Sequence, residues 1–310
     1  MQVGIVSYGS YVPKNRKKVD EKFRSKLMVE QRSVASSDED AATIAVAAAQ
    51  NALSKTNLCE KKIGAVYIGS ESHPYAVKPT STIVADALNL DSDFMTADVE
   101  FACKGGTAAI QICYGFLKAR MVEYGLAIGS DVAQAEPGDV LEQTAAAGGA
   151  AFILGVDEDE IIATIDETIS ITSNTPDFWR RNLQKYPEHT NRFTGEPSYF
   201  KHTICASKKI MEKTGFCPKD FSYVVFHQPN GKFPLIAAKR LGFTKEQVEP
   251  SLMVKKIGNC YSASSLLGLC SVLDVAQAGE KILLVSYGSG SGSDAFVLTK
   301  RVLTKTGVKK

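Results

Sequence analysis

Two blocks of the sequence, residues 103–133 and 259–290, repeat one pattern. Each begins with a run of small residues typical of a helix start, continues as an apolar helix, and ends in an apolar strand. The two strands close on Ile-Gly-Ser-Asp and Tyr-Gly-Ser-Gly. This repetition predicts an α/β fold made by internal duplication of a β-α-β-α-β unit, with one half over residues 1–157 and the other over residues 158–310.

Polar residues that can carry chemistry follow the carboxyl ends of the predicted strands in both halves. They are Glu71, Cys103, His227, Asn259 and Ser289. In sheets of this kind the carboxyl ends of neighbouring parallel strands form the ligand crevice. The sequence therefore predicts that these five residues meet at one site.

Two helices are predicted before the first of the repeated blocks. An alanine-rich stretch indicates a helix over about residues 39–54, with residues 36–38 as its amino-terminal cap. A second helix is predicted near residues 79–88.

Composition excludes several classes of function. The 310 residues are 44% hydrophobic and carry a formal charge of +2, with acidic and basic residues interleaved, so we expect neither a nucleic-acid nor a membrane partner. The seven cysteines form no Cys-x-x-Cys pair, and the four histidines are scattered, with none paired with a cysteine at ligand spacing. No metal site is therefore expected. Because no secretory leader or membrane-spanning run is recognisable, we expect a cytoplasmic protein.

Cys103 is the candidate nucleophile. It stands between a predicted strand and a helix that opens on Gly105 and Gly106. The positive end of the helix dipole favours the thiolate, and the glycines allow a substrate carbonyl to approach backbone N–H groups. Most other cysteines are interpreted as small buried hydrophobic residues, namely Cys59, Cys113, Cys205, Cys217 and Cys270. Cys260, next to Asn259, either packs or lines the site, and packing is favoured.

The remaining candidates each have a plainer interpretation. Glu71 could be a surface carboxylate, although burial in the crevice would raise its pKa and suit it to proton transfer. His227 could be a buried structural histidine, and Asn259 could simply cap a helix. Ser289 lies in Gly-Ser-Gly-Ser-Gly, which either forms a tight turn or offers a backbone N–H to substrate. A cysteine, a histidine and an asparagine together favour acyl transfer through a thioester.

Three motifs resemble the condensing enzymes of the thiolase superfamily: Cys-Lys-Gly-Gly-Thr at 103–107, His-Gln-Pro-Asn-Gly-Lys-Phe-Pro at 227–234, and Gly-Asn followed by a serine-rich helix. Three longer stretches resemble the archaeal type of hydroxymethylglutaryl-CoA synthase; they are residues 68–79, 130–135 and 192–202. The resemblance covers nearly the whole chain. It implies a thiolase-like layered α/β/α/β/α arrangement.

The resemblance also implies a reaction and its residues. It implies condensation of acetyl-CoA with acetoacetyl-CoA in the mevalonate pathway of isoprenoid synthesis, with no cofactor beyond the coenzyme A thioesters. Cys103 would carry the acetyl group, Glu71 would be the base, and His227 would act on the second substrate. The substrate-binding residues implied are Asn259, Ser289, Thr144 and Thr194, and those for coenzyme A are Lys232 and Arg192.

The resemblance further implies a homodimer, and a complex with an acetoacetyl-CoA thiolase and a small zinc-containing OB-fold protein. The chain departs from the family pattern at Ile236, where an arginine is usual, and in residues 18–33, which look shortened. Two alternatives remain open. One is a ketoacyl synthase of the acyl-carrier-protein-priming type, which lacks the glutamate; the other is a scaffold that binds acyl-CoA without turnover.

Overall fold

A computed structural model describes residues 1–190, 195–290 and 292–302. Its strands are β1 (Gly4–Tyr11), β2 (Asn15–Lys18), β3 (Gln31–Val34), β4 (Ile63–Gly69), β5 (Met95–Val99), β6 (Tyr124–Val132), β7 (Ala147–Gly155), β8 (Ala163–Thr172), β9 (Phe178–Trp179), β10 (Glu188–His189), β11 (Tyr223–Phe226), β12 (Lys281–Val285) and β13 (Gly292–Lys300). Its α-helices are α1 (Glu21–Leu27), α2 (Ala41–Leu53), α3 (Thr80–Ala87), α4 (Gly105–Lys118), α5 (Phe200–Thr214), α6 (Phe233–Leu241), α7 (Lys245–Val248), α8 (Val254–Ile257) and α9 (Ser264–Val275).

The central sheet repeats one strand order in its two halves. Its nine strands run β11-β12-β13-β8-β1-β7-β6-β4-β5. In the first half β4 and β6 are parallel, and β7 and β1 follow antiparallel. In the second half β11 and β12 are parallel, and β13 and β8 follow antiparallel. The predicted duplication is therefore confirmed in the topology, and a short antiparallel pairing of β1 with β8 joins the halves.

Three apolar cores lie between the layers. The inner core contains apolar side chains of α4 and α9 together with strands of both halves. One outer core lies where α2 and α3 pack on the first half, and the other where α5 and α6 pack on the second. Helix α4 faces the inner core because its buried residues, including Ile110, Cys113 and Leu117, recur at helical spacing. The predicted layered thiolase-like arrangement is confirmed.

The cap predicted for the alanine-rich helix is wrong by two residues. Helix α2 is capped by Asp40, whose carboxylate accepts from the Thr43 N–H at 2.8 Å while the Thr43 hydroxyl accepts from the Asp40 N–H. The residues expected to cap it form a separate turn, because the Ser36 N–H donates to the Glu39 carboxylate. Helix α3 begins and ends within one residue of its prediction.

The short segment at residues 18–33 is ordered around α1. Strands β2 and β3 pair antiparallel on either side of this helix. Val19 and Val29 pack against Val254 of α8, with Leu27 at the edge of the cluster. Helix α1 is thereby attached to the second half, where Leu27 reaches the site described below.

The proposed division between residues 157 and 158 stays a prediction. It lies in the connection between β7, which ends at Gly155, and β8, which begins at Ala163. No helix in the described ranges is long and apolar enough to cross a membrane.

Candidate active site

Cys103 lies in a tight turn between β5 and α4. Ala102 has a φ of 42°, in the left-handed region that non-glycine residues rarely adopt, and its carbonyl accepts from the Gly105 N–H at 3.0 Å. The end of β4 packs directly on this helix start: a Cβ on Gly69 would lie 1.9 Å from the carbonyl carbon of Gly105. Only glycine permits that approach, so β4 and the nucleophile turn are held together by backbone contact.

The Cys103 thiol donates to the Glu71 carboxylate, with 2.9 Å between Sγ and Oε1. Burial, together with the Glu71 charge, raises the pKa of the Cys103 thiol well above its usual range. The expectation that the helix start favours a thiolate is therefore wrong for the resting site, because desolvation and a neighbouring carboxylate oppose ionisation more strongly. Burial and the nearby Asp131 raise the pKa of Glu71 to about 8. The pair can thus hold and exchange one proton.

Asp131 holds the loop that carries Glu71, a role that the sequence reasoning missed. One carboxylate oxygen accepts from the Glu71 N–H at 2.8 Å and from the hydroxyls of Ser70 and Ser72 at 2.9 and 2.7 Å. The other accepts from the N–H and hydroxyl of Ser262, just before α9. Asp131 is fully buried and so links the two halves beneath the site.

A cavity of about 150 Å³ brings together five of the predicted site residues, each from a different element or loop. Its lining includes Cys103, Thr144, His227, Asn259 and Ser289. Cys103, His227 and Ser289 follow strands as predicted, whereas Asn259 follows the short helix α8, so its predicted place at a strand end is wrong although it does reach the cavity. Glu71 meets the cavity through its contact with Cys103 and itself lines an adjoining pocket.

His227 follows the end of β11 and is 2% exposed. Burial lowers its pKa to about 3, so the imidazole is neutral near pH 7. Its backbone carbonyl accepts from the buried Tyr199 hydroxyl at 2.8 Å, which fixes the turn. Within the described residues, Nδ1 has no hydrogen-bond partner. A neutral imidazole in this setting can donate a hydrogen bond to a substrate oxygen.

Asn259 caps a turn with one end of its side chain and leaves the other end for the cavity. Its side-chain Oδ1 accepts from the Tyr261 N–H at 3.1 Å, which caps the turn leading into α9. The amide Nδ2 is then the group that can donate to a ligand in the cavity. Its backbone N–H donates to the Thr144 carbonyl at 2.7 Å, so Thr144 and Asn259 are held side by side.

Ser289 reaches the cavity because its loop packs on the nucleophile turn. A Cβ on the neighbouring Gly288 would lie 2.5 Å from the Phe101 carbonyl oxygen and 2.8 Å from Cγ of Lys104. This approach brings the loop between β12 and β13 to Cys103. The glycine-rich run therefore turns the chain and also places Ser289 at the cavity.

A buried ion pair fixes the two sides of the site to each other. Nζ of Lys104 lies 2.9 and 3.0 Å from the carboxylate oxygens of Asp294 on β13, and both side chains are buried. The Thr107 and Ser170 hydroxyls also donate to that carboxylate, each at 2.8 Å. A buried pair with this many hydrogen bonds specifies geometry, because breaking it would leave an uncompensated charge. The sequence reasoning missed this pair.

The sequence of this chain is similar to those of known proteins. Residues 211–300 match the family model described as 3-Oxoacyl-[acyl-carrier-protein (ACP)] synthase III C terminal. A hydroxymethylglutaryl-CoA synthase from Archaeoglobus fulgidus is 58% identical over 306 residues, covering 96% of this chain and 88% of the relative. Another, from Methanopyrus kandleri, is 55% identical over 313 residues, covering 97% and 89%. The chain belongs to the hydroxymethylglutaryl-CoA synthase family.

Solved structures agree with that family. A crystal structure of an HMG-CoA synthase complexed with CoA has a TM-score of 0.90 and 26% identity, covering all of this chain and 85% of that one. A 3-oxoacyl-(acyl carrier protein) synthase III from Pseudomonas aeruginosa PAO1 has the same fold, with a TM-score of 0.90 at 19% identity, covering 98% of this chain and 100% of that one. This member of the synthase family is thus a thiolase-like enzyme of the acyl-condensing transferase type.

The residues predicted to bind coenzyme A in this synthase are only partly placed. Arg192 lies outside the described residues, as does Thr194, which was predicted to bind substrate. Lys232 stands at the start of α6, where its backbone N–H donates to the Asn230 side chain at 2.9 Å. The cavity is lined by the adjacent Asn230 and Phe233 but not by Lys232 itself. Lys232 therefore lies beside the cavity, and its contact with coenzyme A stays a prediction.

The other cysteines of the synthase divide by exposure. Cys113, Cys260 and Cys270 are buried, as interpreted from the sequence. Cys59 and Cys205 are exposed and Cys217 is only partly buried, so the interpretation as buried residues is wrong for these three. Among the described residues no group of three or more His, Cys, Asp or Glu side chains is arranged to hold a metal ion. The predicted lack of a metal site stays a prediction.

Glu71→Gln should stabilise the synthase more as pH rises. A carboxyl whose folded-state pKa is raised to about 8 loses stabilisation as pH increases from its unfolded pKa to about 8. Glutamine does not titrate. The free energy of unfolding of the variant should therefore exceed that of the parent by an amount that grows across that window to about a few kcal/mol. Urea unfolding at pH 5 and pH 8 measures it, with Glu100→Gln, at an exposed carboxylate, as the baseline. A pH-independent difference contradicts this account of Glu71.

Proposed function

We propose that this chain condenses acetyl-CoA with acetoacetyl-CoA to hydroxymethylglutaryl-CoA, through an acetyl group carried on Cys103. The observation that carries the proposal is the 2.9 Å contact between the Cys103 thiol and the Glu71 carboxylate, beside a cavity lined by His227 and Asn259. A nucleophile and a base in direct contact can serve acyl transfer and carbon–carbon bond formation in turn. The chemistry of the site agrees with the name of the family.

In the first step Cys103 is acetylated. Glu71 accepts the thiol proton, and the thiolate attacks the carbonyl of acetyl-CoA. The backbone N–H groups of Cys103 and Ser289 hold the resulting oxyanion, each contributing about 3–4 kcal/mol as in comparable sites. Collapse expels the coenzyme A thiolate, which takes the proton from Glu71. The acetyl methyl group is left beside the carboxylate.

In the second step Glu71 removes a proton from that methyl group. A base of raised pKa suits this task because the ideal catalytic pKa lies near the working pH. The carbanion attacks the C3 ketone of acetoacetyl-CoA. Neutral His227 and the amide of Asn259 donate hydrogen bonds to the ketone oxygen, which takes the proton from Glu71. Thr144 and Thr194 would help to position the second substrate. Hydrolysis then releases the product from Cys103.

Replacing Lys232 tests coenzyme A binding. Lys232→Met should raise the Michaelis constants of both substrates roughly three- to tenfold with little change in kcat, because a phosphate contact is equal in ground and transition states. Lys239→Met, at an exposed lysine of the same helix, is the matched control. A variant with unchanged Michaelis constants and a collapsed kcat contradicts the assignment. Arg192 is expected to behave as Lys232 does.

The wider setting of the enzyme is proposed on the same basis. The substrates are coenzyme A thioesters, and no metal or organic cofactor takes part. The chain would work in the cytoplasm, within the mevalonate pathway, as a homodimer that can associate with an acetoacetyl-CoA thiolase and a small zinc-containing OB-fold protein.

One observation favours a second enzyme class, the ketoacyl synthase III type, because residues 211–300 match its carboxyl-terminal family model. Glu71 separates the two. Decarboxylation generates a carbanion without a base, whereas deprotonating an acetyl methyl group requires one. A carboxylate in contact with the nucleophile supports the synthase. A scaffold without turnover would have no use for Cys103, Glu71 and His227 together.

The proposed function is tested by following the enzyme-bound acetyl group. The protein is mixed with acetyl-CoA, the adduct is mapped by mass spectrometry, and acetoacetyl-CoA or a malonyl thioester is then added. We expect one acetyl group on Cys103, discharged by acetoacetyl-CoA with formation of hydroxymethylglutaryl-CoA. Discharge by the malonyl thioester alone would favour the ketoacyl synthase, and no adduct at all would favour the scaffold.

A further inference from the structure

A second pocket adjoins the cavity on the far side of Glu71. Its volume is about 190 Å³, and its polar lining includes Glu71, Glu100, Gln134 and Arg180. Phe178 and Tyr261 line both spaces and so form the wall between them. Glu71 therefore contacts the nucleophile on one side and faces a separate polar space on the other.

Arg180 is held at this pocket by two hydrogen bonds. Its guanidinium donates to the Gln134 side chain at 2.7 Å and to the Glu71 carbonyl at 3.2 Å. The segment that carries it is anchored by the buried Asp177, whose carboxylate accepts from the Tyr287 hydroxyl at 2.6 Å and from the Gly290 N–H at 2.8 Å. Among the described residues that line the pocket, Arg180 is the one basic side chain.

The last step of the reaction needs water and produces an acid. That step exists only if the chain has the proposed function. After condensation the product would still be a thioester of Cys103, and its coenzyme A arm would leave by the cavity that Cys103, Thr144 and Asn259 line. Water must reach the thioester carbon by another side. The carboxylate that forms there lies near Glu71 and Glu100, so its negative charge is disfavoured unless a cation is close.

We propose that the second pocket is the hydrolytic side of the site, and that Arg180 favours the carboxylate formed there. A water molecule from this pocket gives a proton to Glu71 while its oxygen bonds to the thioester carbon. The carbon–sulfur bond breaks, the electron pair goes to Sγ of Cys103, and the sulfur takes the proton from Glu71. The new carboxylic acid ionises beside Arg180 and leaves its proton to solvent.

Arg180→Ala separates hydrolysis from the earlier steps. We expect acetylation of Cys103 and condensation at near-parent rates, with kcat lowered about ten- to a hundredfold through loss of one electrostatic contact. The covalent adduct on Cys103 with the mass of acetyl plus acetoacetyl-CoA should therefore accumulate. Quenched-flow mixing followed by intact-mass spectrometry detects it. Gln134→Leu, which removes the partner of Arg180, should produce the same adduct in smaller amount.

Arg181→Ala is the matched control, because this exposed arginine is the next residue and does not line the pocket. It should turn over as the parent does, without the adduct. Parent-like turnover of Arg180→Ala, or a block at acetylation, overturns the inference while leaving the proposed function intact. Failure of the parent itself to discharge acetyl-Cys103 with acetoacetyl-CoA would instead remove the proposed function. Arg180→Gln serves as a second variant of similar size.

Discussion

Cys103→Ser should fold as the parent does and form no acetyl-enzyme. Serine keeps the shape of the turn, but its hydroxyl is a far weaker acid than a thiol. Glu71, with a pKa raised to about 8, is a sufficient base for a neighbouring thiol and not for an alcohol. We expect the acetyl adduct seen in the parent after mixing with acetyl-CoA to be absent by intact-mass spectrometry, and overall turnover to be lost.

Cys260→Ser is the matched control for this variant. Cys260 is also buried and lies next to Asn259, yet it does not line the cavity. This variant should acetylate to the same stoichiometry as the parent. A full adduct on Cys103→Ser, or a parent adduct that maps to another cysteine, contradicts the role of Cys103.

The sequence allowed most of the candidate site residues to be predicted because Glu71, Cys103, His227 and Ser289 each follow a strand. The topology brings the carboxyl ends of parallel strands to one place, so position along a strand is enough to predict the meeting of Cys103 with His227. Asn259 follows the short helix α8 instead, and its place at the site could not be predicted in this way. The duplication could be recognised for a similar reason, since hydrophobic periodicity repeats where sequence identity does not. The local sequence pattern was thus enough to predict much of the candidate site.

The supporting residues could not be predicted in the same way. Asp131 bonds to residues about 60 positions before it and 131 positions after it, and the Lys104–Asp294 pair spans 190 positions. A buried carboxylate is recognisable only once its partners are known, because an unpaired one would not be buried. Arg180 belongs to this group too, since its partners lie in distant segments.

The error over the Cys103 thiolate has the same origin. The helix start was readable from Gly105 and Gly106, and it does follow the cysteine. The opposing effects come from burial by the whole fold and from Glu71, 32 positions earlier in the chain. The sequence therefore indicated Cys103 as the candidate nucleophile but not its protonation state.

Glu71→Ala should load acetyl onto Cys103 and then fail to condense. Burial raises the pKa of the Cys103 thiol most, and the charge of Glu71 raises it further. Removing Glu71 lifts the second cause but also removes the proton acceptor of the first step, so acetyl should load more slowly than in the parent and still reach full stoichiometry. The acetyl methyl group is a poor carbon acid and needs a positioned base. We expect condensation to fall about a hundredfold or more, the usual scale for a lost general base.

Glu71→Gln should behave alike, because the amide keeps the size of the side chain and cannot accept the proton. The two steps are observed separately: the acetyl adduct by mass, and hydroxymethylglutaryl-CoA formed when acetoacetyl-CoA is added to the acetylated protein. Glu100→Gln, in the same pocket, controls for loss of negative charge nearby. If Glu71→Ala condenses at the parent rate, the base lies elsewhere, and a decarboxylating ketoacyl synthase becomes the better account of the Cys103, His227 and Asn259 set. If it neither loads nor condenses, then Glu71 is required first as the acceptor of the thiol proton, which the 2.9 Å contact also allows.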